Sequence, residues 1–135
     1  MTTTTSRRPE TGPDDCRVQL EDGAIIRDTF ARIGDKWSLL ILGILDDAPL
    51  RFTALRDRVP GISHRMLTHT LRNLEREGLV SREVFAAVPP RVDYAVTELG
   101  RTILPAVKAL ANWALEHGRE IQDNRDRFDD RLAGY

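Results

Sequence analysis

The stretch PGISHRMLTHTLRNLEREGL, Pro60 to Leu79, marks where one helix begins, where it ends and which of its faces stays wet. Proline stops the preceding helix and glycine tolerates dihedrals closed to other residues, so Pro60-Gly61-Ile62 reads as a tight turn. Ser63 is a good N-cap, and it puts Ile62 and Leu67 at the N′ and N4 positions of a hydrophobic staple. At the far end Gly78 falls at C′, with Leu79 at C″ facing Leu74 at C3, the apolar contact of a Schellman ending. The spacing therefore predicts a helix over Ser63 to Glu77. At about 100° per residue Leu67, Leu71 and Leu74 share one side, while Arg65, His69, Arg72 and Arg76 lie opposite with Thr68 beside them.

Working upstream, Phe52 to Val59 reads as a short helix with Leu55 and Val59 inward and Arg51, Arg56 and Arg58 outward. Asp46-Asp47-Ala48-Pro49 separates it from a helix capped by Asp35, in which Trp37, Leu40, Ile41, Ile44 and Leu45 follow the i, i+3, i+4 rule. Leu39 and Leu42 extend that apolar surface almost all round, which places this helix at the centre of the core. Before it, Ile25, Ile26, Thr29, Phe30 and Ile33 recur at helical spacing from about Asp22, and Gly34 is expected to end the helix in a left-handed conformation. Downstream, Leu79 to Phe85 and Val92 to Val96 are rich in β-branched and aromatic residues, with Ala86 to Arg91 as the connecting loop. Thr97 then caps a last helix with the stripe Leu99, Ile103, Val107, Leu110 and Ala114, which Pro105 is expected to kink. After Gly118 the pattern resumes through Ile121, Phe128 and Leu132.

These segments divide the chain into a disordered arm over 1–20, rich in threonine and proline, a domain over 21–118, and a helical or partly disordered tail over 119–135. With 135 residues there is room for one modest core. The longest apolar run, Leu39 to Leu45, is too short to span a bilayer, and no apolar signal segment opens the chain, so a cytoplasmic protein without membrane attachment is expected. The single cysteine, Cys16, rules out an intrachain disulfide or a cysteine-cluster metal site. No nucleophile elbow or glycine-rich phosphate loop occurs, so no catalytic residues, cofactor or metal are expected.

The net charge of −1 conceals an uneven distribution: between Arg51 and Arg91 eight arginines stand against four acids, leaving a basic centre between acidic flanks. Such a centre suits a polyanion. Two short helices joined by a glycine-containing turn and followed by a hairpin form a winged helix-turn-helix, whose second helix enters the DNA major groove. The fold class expected is thus mainly α with a small β-hairpin. Arginine is the residue best suited to guanine edges and phosphates, so Arg65, Thr68, His69 and Arg72 are base-contact candidates, with Ser63 and His64 at the helix start. Arg51 is a further DNA-contact candidate, and Arg91 on the wing is a candidate for the backbone or the minor groove. The apolar residues Ile25, Phe30, Val107, Leu110 and Ala114 exceed what one small domain can cover, which points to dimerisation through the N- and C-terminal helices. Two rivals remain: a winged-helix protein-interaction module, and a small-molecule-binding sensor with weak DNA affinity, using a cleft lined by Phe30, Trp37 and Trp113.

Several runs together resemble the HxlR-type regulators, compact relatives of MarR-type proteins. They are Ile33-Gly34-Asp35-Lys36-Trp37-Ser38-Leu39-Leu40-Ile41-Leu42, Leu50-Arg51-Phe52, Pro60-Gly61-Ile62-Ser63, Met66-Leu67-Thr68, Leu71-Arg72-Asn73-Leu74-Glu75 and Gly78-Leu79-Val80. Val88 to Tyr94, Leu99-Gly100 and Trp113 extend the likeness, which covers about Cys16 to His117. The resemblance implies a homodimeric, ligand- or redox-responsive repressor or activator acting on a double-stranded DNA operator, with a small molecule or oxidant as effector. It also makes Cys16 a candidate redox sensor, although Arg17 follows it where the family tends to have proline. Arg17 favours the thiolate, whereas Asp14 and Asp15 oppose it.

Overall fold

The computed structural model describes residues 20–134, with side chains from Asp22 onward. The elements run α1 (Leu20–Ile33), α2 (Lys36–Leu45), β1 (Leu50–Arg51), α3 (Phe52–Arg58), α4 (His64–Arg76), β2 (Val80–Phe85), β3 (Arg91–Val96) and α5 (Glu98–Ala133). The expected N-terminal arm up to residue 19, and Cys16 within it, lie outside the described residues.

The core forms where α2 meets α4, the sheet and α5. Ile41, Leu42 and Leu45 of α2 are buried against Leu55, Leu67, Leu71, Leu74, Val96 and Leu104. Each such aliphatic side chain contributes about 1.5–3 kcal/mol by leaving water. The buried face of α2 is set by Ser38, Ile41, Leu42 and Leu45, so Leu40, expected in the stripe, is rotated out and 51% exposed. Ser38 can be buried because its hydroxyl donates to Asp35 Oδ1, while the other carboxylate oxygen of Asp35 caps the helix by accepting from Ser38 N.

Both ends of α4 match their sequence signals. Ser63 Oγ accepts from Met66 N at 3.0 Å, and Ile62 and Leu67 are both buried. Gly78, at φ 79°, donates to Glu75 O while Leu79 N donates to Leu74 O, each at 3.0 Å, completing the Schellman pair. Gly34 differs from expectation: positive φ occurs only at Gly61 and Gly78 among the described residues. Its N–H donates to Phe30 O at 2.8 Å, and a Cβ there would collide with that same carbonyl oxygen. Close approach, not handedness, is what demands glycine at this corner.

The sheet has three antiparallel strands in the order β1-β3-β2 rather than the two of a plain hairpin. β2 and β3 pair from Val80↔Val96 to Phe85↔Arg91, and β1 adds Leu50↔Tyr94 and Arg51↔Asp93 on the other edge of β3. This ties the start of α3 to the wing. α5 is a single helix across Pro105, and the tail beyond Gly118 belongs to it as far as Ala133. Thr97 links helix to wing, since its Oγ1 accepts from Gly100 N and donates to Gly78 O.

Gly100 is buried where α5 crosses the start of the wing; an added Cβ would meet Leu79 O and Val96 Cγ1 inside contact distance. Gly100→Ala is therefore expected to lower unfolding free energy by about 1–3 kcal/mol, because backbone on one side cannot yield. Chemical denaturation measures this, and an unchanged midpoint at unchanged slope would contradict the packing described.

Candidate nucleic-acid interface

On α4 the structure buries Leu67, Thr70, Leu71 and Leu74 and leaves Arg65, His69, Arg72 and Arg76 exposed. No acidic residue occupies the first turn. Thr68 is half-buried and its hydroxyl donates to His64 O at 2.8 Å. Ser63 is exposed but already used as the cap. The His64 ring packs against Phe52, centroids 4.7 Å apart, which fixes the imidazole at the junction of α3 and α4. Arg51, Arg56 and Arg58 are exposed around α3, beside that junction.

Arg72 and Thr68 also border a notch of about 210 Å³ between α4 and the sheet, shared with Arg82, Tyr94, Glu75 and Leu71. Arg82 and Tyr94 are register partners on β2 and β3. They were not among the sequence candidates, because strand alternation alone does not reveal which face of a hairpin meets a helix. Arg91 opens β3 at the base of the wing loop. Its Nη2 lies 3.4 Å from Asp93 Oδ2 and its guanidinium stands 4.6 Å from the Phe85 ring, while the side chain stays 41% exposed. Its Nε and Asp93 Oδ1 are buried without a hydrogen-bond partner among the described residues. On the opposite side of α4, His69 borders a cleft with Arg32, Asp35, Lys36 and Trp37. There Asn73 donates to Arg32 O at 2.7 Å, clamping α4 to α1. The hydrogen bond and charge of Asp28, then the charge of Glu77, raise the pKa of Arg32 further above its usual range.

The proposed dimer residues separate into two groups. Ile25, Phe30 and Leu110 are 68%, 67% and 53% exposed, and Ala114 is exposed as well. Val107, in contrast, is 8% exposed: it packs over Gly43 of α2, where the missing side chain admits it, and so belongs to the core of its own protomer. An apolar groove of about 350 Å³ lies between α1 and α5, lined by Phe30, Ile33, Leu39, Ile103, Ala106 and Leu110, with Val107 in its wall. The aromatic residues suggested for a small-molecule cleft do not converge: Phe30 lines this groove, Trp37 lines the cleft beside α4, and Trp113 stands 51% exposed against His117. Among the described residues no helix is long and apolar enough to cross a membrane, and no group of histidine, cysteine or acidic side chains is arranged to hold a metal.

Comparison with known proteins supplies the decision. The profile of the HxlR-like helix-turn-helix family matches residues 32–122. The chain belongs to the HxlR-like helix-turn-helix family. An uncharacterized HTH-type transcriptional regulator of Methanothermobacter thermautotrophicus is 44% identical over 95 residues, covering 70% of this chain and 72% of the relative. Among solved structures, the redox regulator HypR in its oxidised form is 40% identical with a TM-score of 0.65, spanning 68% of this chain and 95% of HypR. The reduced form of the transcriptional regulator YodB from Bacillus subtilis is 32% identical with a TM-score of 0.60, spanning 67% and 88%. This HxlR-like protein is accordingly an HTH-type transcriptional regulator with a winged-helix fold.

Proposed function

We propose that this HxlR-like regulator binds operator DNA as a homodimer, with the two copies of α4 in successive major grooves. The observation that carries the reading is the exposed row Arg65, His69, Arg72 and Arg76 on a helix whose opposite face is locked into the core. Arg65, Thr68, His69 and Arg72 read base edges, and Ser63 and His64 bring the helix start to the backbone. Arg51 and Arg82 approach phosphates from the two sides. Arg91 acts chiefly on the wing's shape, since its guanidinium faces Asp93 and Phe85. The dimer uses Ile25, Phe30, Leu110 and Ala114, the apolar surface that one protomer leaves open.

Sequencing the DNA that the protein captures from genomic fragments, followed by titrating the enriched duplex at several salt concentrations, tests this function. A specific duplex whose affinity falls steeply with salt is expected, and failure to bind any DNA at any salt would favour the protein-docking alternative. Within that experiment Arg82→Ala is expected to weaken specific and random duplexes equally and to reduce the salt slope by about one unit, as loss of one phosphate contact does. Arg91→Ala should leave the slope unchanged.

The likeness to HypR, a redox regulator, supports oxidant control as the finer reading, with Cys16 as the sensor. Diamide should then yield a reducible cross-linked dimer on non-reducing gels and alter operator affinity, both effects disappearing in Cys16→Ser. Operator binding unchanged by diamide would remove Cys16 from the control mechanism.

A further inference from the structure

The wing separates its charges by face. Residues paired in register on an antiparallel ladder point to the same side, and the sides alternate along each strand. Val80↔Val96, Arg82↔Tyr94 and Val84↔Val92 therefore share one face, while Ser81↔Ala95, Glu83↔Asp93 and Phe85↔Arg91 share the other. The first face begins in the core at Val80 and Val96 and continues through the notch that Arg82 and Tyr94 share with Thr68 and Arg72 of α4. It ends at Val84, which is 57% exposed. Both acids of the wing, Glu83 and Asp93, stand on the second face, where Asp93 meets Arg91. The acid that borders the notch, Glu75, comes from α4. The side of the wing that adjoins the reading helix thus presents a cation and aliphatic groups.

Beyond Phe85 the chain turns through Ala86-Ala87-Val88-Pro89-Pro90, five residues with neither a charge nor a polar side chain. All five are exposed, Val88 completely so, and none of them adds to the protomer's core. The turn is stiff: Pro89 and Pro90 fix their own φ, and Ala87 N donates to Phe85 O at 2.9 Å, so little freedom is lost when the tip is seated against a partner. We propose that this tip enters the minor groove beside each half-site as an apolar wedge, so that affinity depends on how readily one base step there deforms rather than on hydrogen bonds to its edges. Two observations name the occupant. The tip is continuous, through Val84 and Arg82, with the α4 surface that carries Thr68 and Arg72. Arginines also flank it, Arg82 on β2 and Arg91 on β3, an order of charge and apolar surface that suits phosphate walls around a sugar-lined interior. Proline and aliphatic side chains at a minor-groove step partly unstack its bases and bend the duplex, and pyrimidine–purine steps yield most easily. The inference rests on α4 as the reading head and adds an indirect reading of the flanking sequence.

The test uses the full chain and the captured operator duplex, with 2-aminopurine placed in turn along the flank of each half-site and a pair of dyes at the duplex ends. The unmodified protein is expected to raise 2-aminopurine fluorescence at one step in each flank and to shorten the distance between the dyes. Val88→Asn brings no charge and removes no contact within the protomer, because Val88 is fully exposed. It is expected to abolish both signals and to weaken operator binding about tenfold with the salt slope unchanged, since packing is lost and no phosphate contact is. Exchanging TpA for ApA at the responsive step keeps the minor-groove acceptors and stiffens the step. That exchange should weaken the unmodified protein and leave Val88→Asn unaffected. Equal weakening of both proteins would refute the wedge, as would a Val88→Asn protein that binds and bends the operator normally, which would leave the tip free to dock another protein. An operator that requires Arg65 but not Val88 refutes the wedge and leaves α4 as the reading head. If the unmodified protein binds no DNA, both readings are refuted.

Discussion

Replacing Leu110 with aspartate is expected to leave the winged domain folded while abolishing the dimer and, with it, operator binding. Leu110 is 53% exposed and sits beside the apolar groove of α1 and α5, so the new carboxylate stays hydrated in an isolated protomer. In a dimer the same carboxylate would be desolvated on both sides of the symmetry axis. Two such burials amount to about 4 kcal/mol or more, on the order of a thousandfold in the dissociation constant. Operator affinity collapses in step, because each α4 alone contacts one half-site and the second half-site no longer binds as part of the same particle. Analytical ultracentrifugation reads the dimer, circular dichroism reads the fold, and anisotropy reads the DNA. Unaltered sedimentation of Leu110→Asp would remove the α1–α5 surface from the interface.

The contrast between Leu110 and Val107 also shows what a helical stripe conveys. Both lie on the apolar side of α5, and periodicity groups them; only the position of α2, with Gly43 opposite, decides that Val107 is core and Leu110 surface. Leu40 makes the same point on α2. Features written in local hydrogen bonding were legible in full. The Ser63 cap, the Gly78 ending and the inward leucines of α4 depend on residues within a few positions of one another. β1 was not legible, since two residues cannot show alternation and the strand exists only by pairing with β3 far along the chain. Gly34 was recognised as a helix end for a reason the structure replaces, close approach to Phe30 O.

The candidate interface follows the same division. Exposure of Arg65, His69 and Arg72 followed from the wheel, because one amphipathic helix determines its own wet face once the leucines are buried. The surroundings of Arg82 and Arg91 did not, since they depend on where Tyr94, Phe85 and Asp93 lie across the sheet. Consecutive strand residues change face, so only the register shows which neighbours a wing arginine meets.

The most direct test of α4 as the reading head is fluorescence anisotropy of Arg65→Ala and Arg72→Ala on the captured operator and on a scrambled duplex. Each arginine in bidentate contact with a guanine contributes about 1–3 kcal/mol of discrimination per site, and a symmetric dimer loses it twice. Operator affinity should therefore fall by about 2–6 kcal/mol per dimer for a base-reading arginine. The scrambled duplex should lose far less, and tolerance for other bases at one position in each half-site should rise. Both exposed side chains can be shortened without disturbing the buried leucines, so folding should be unchanged. Operator binding that survives both substitutions with its specificity intact would show that this face of α4 does not read DNA.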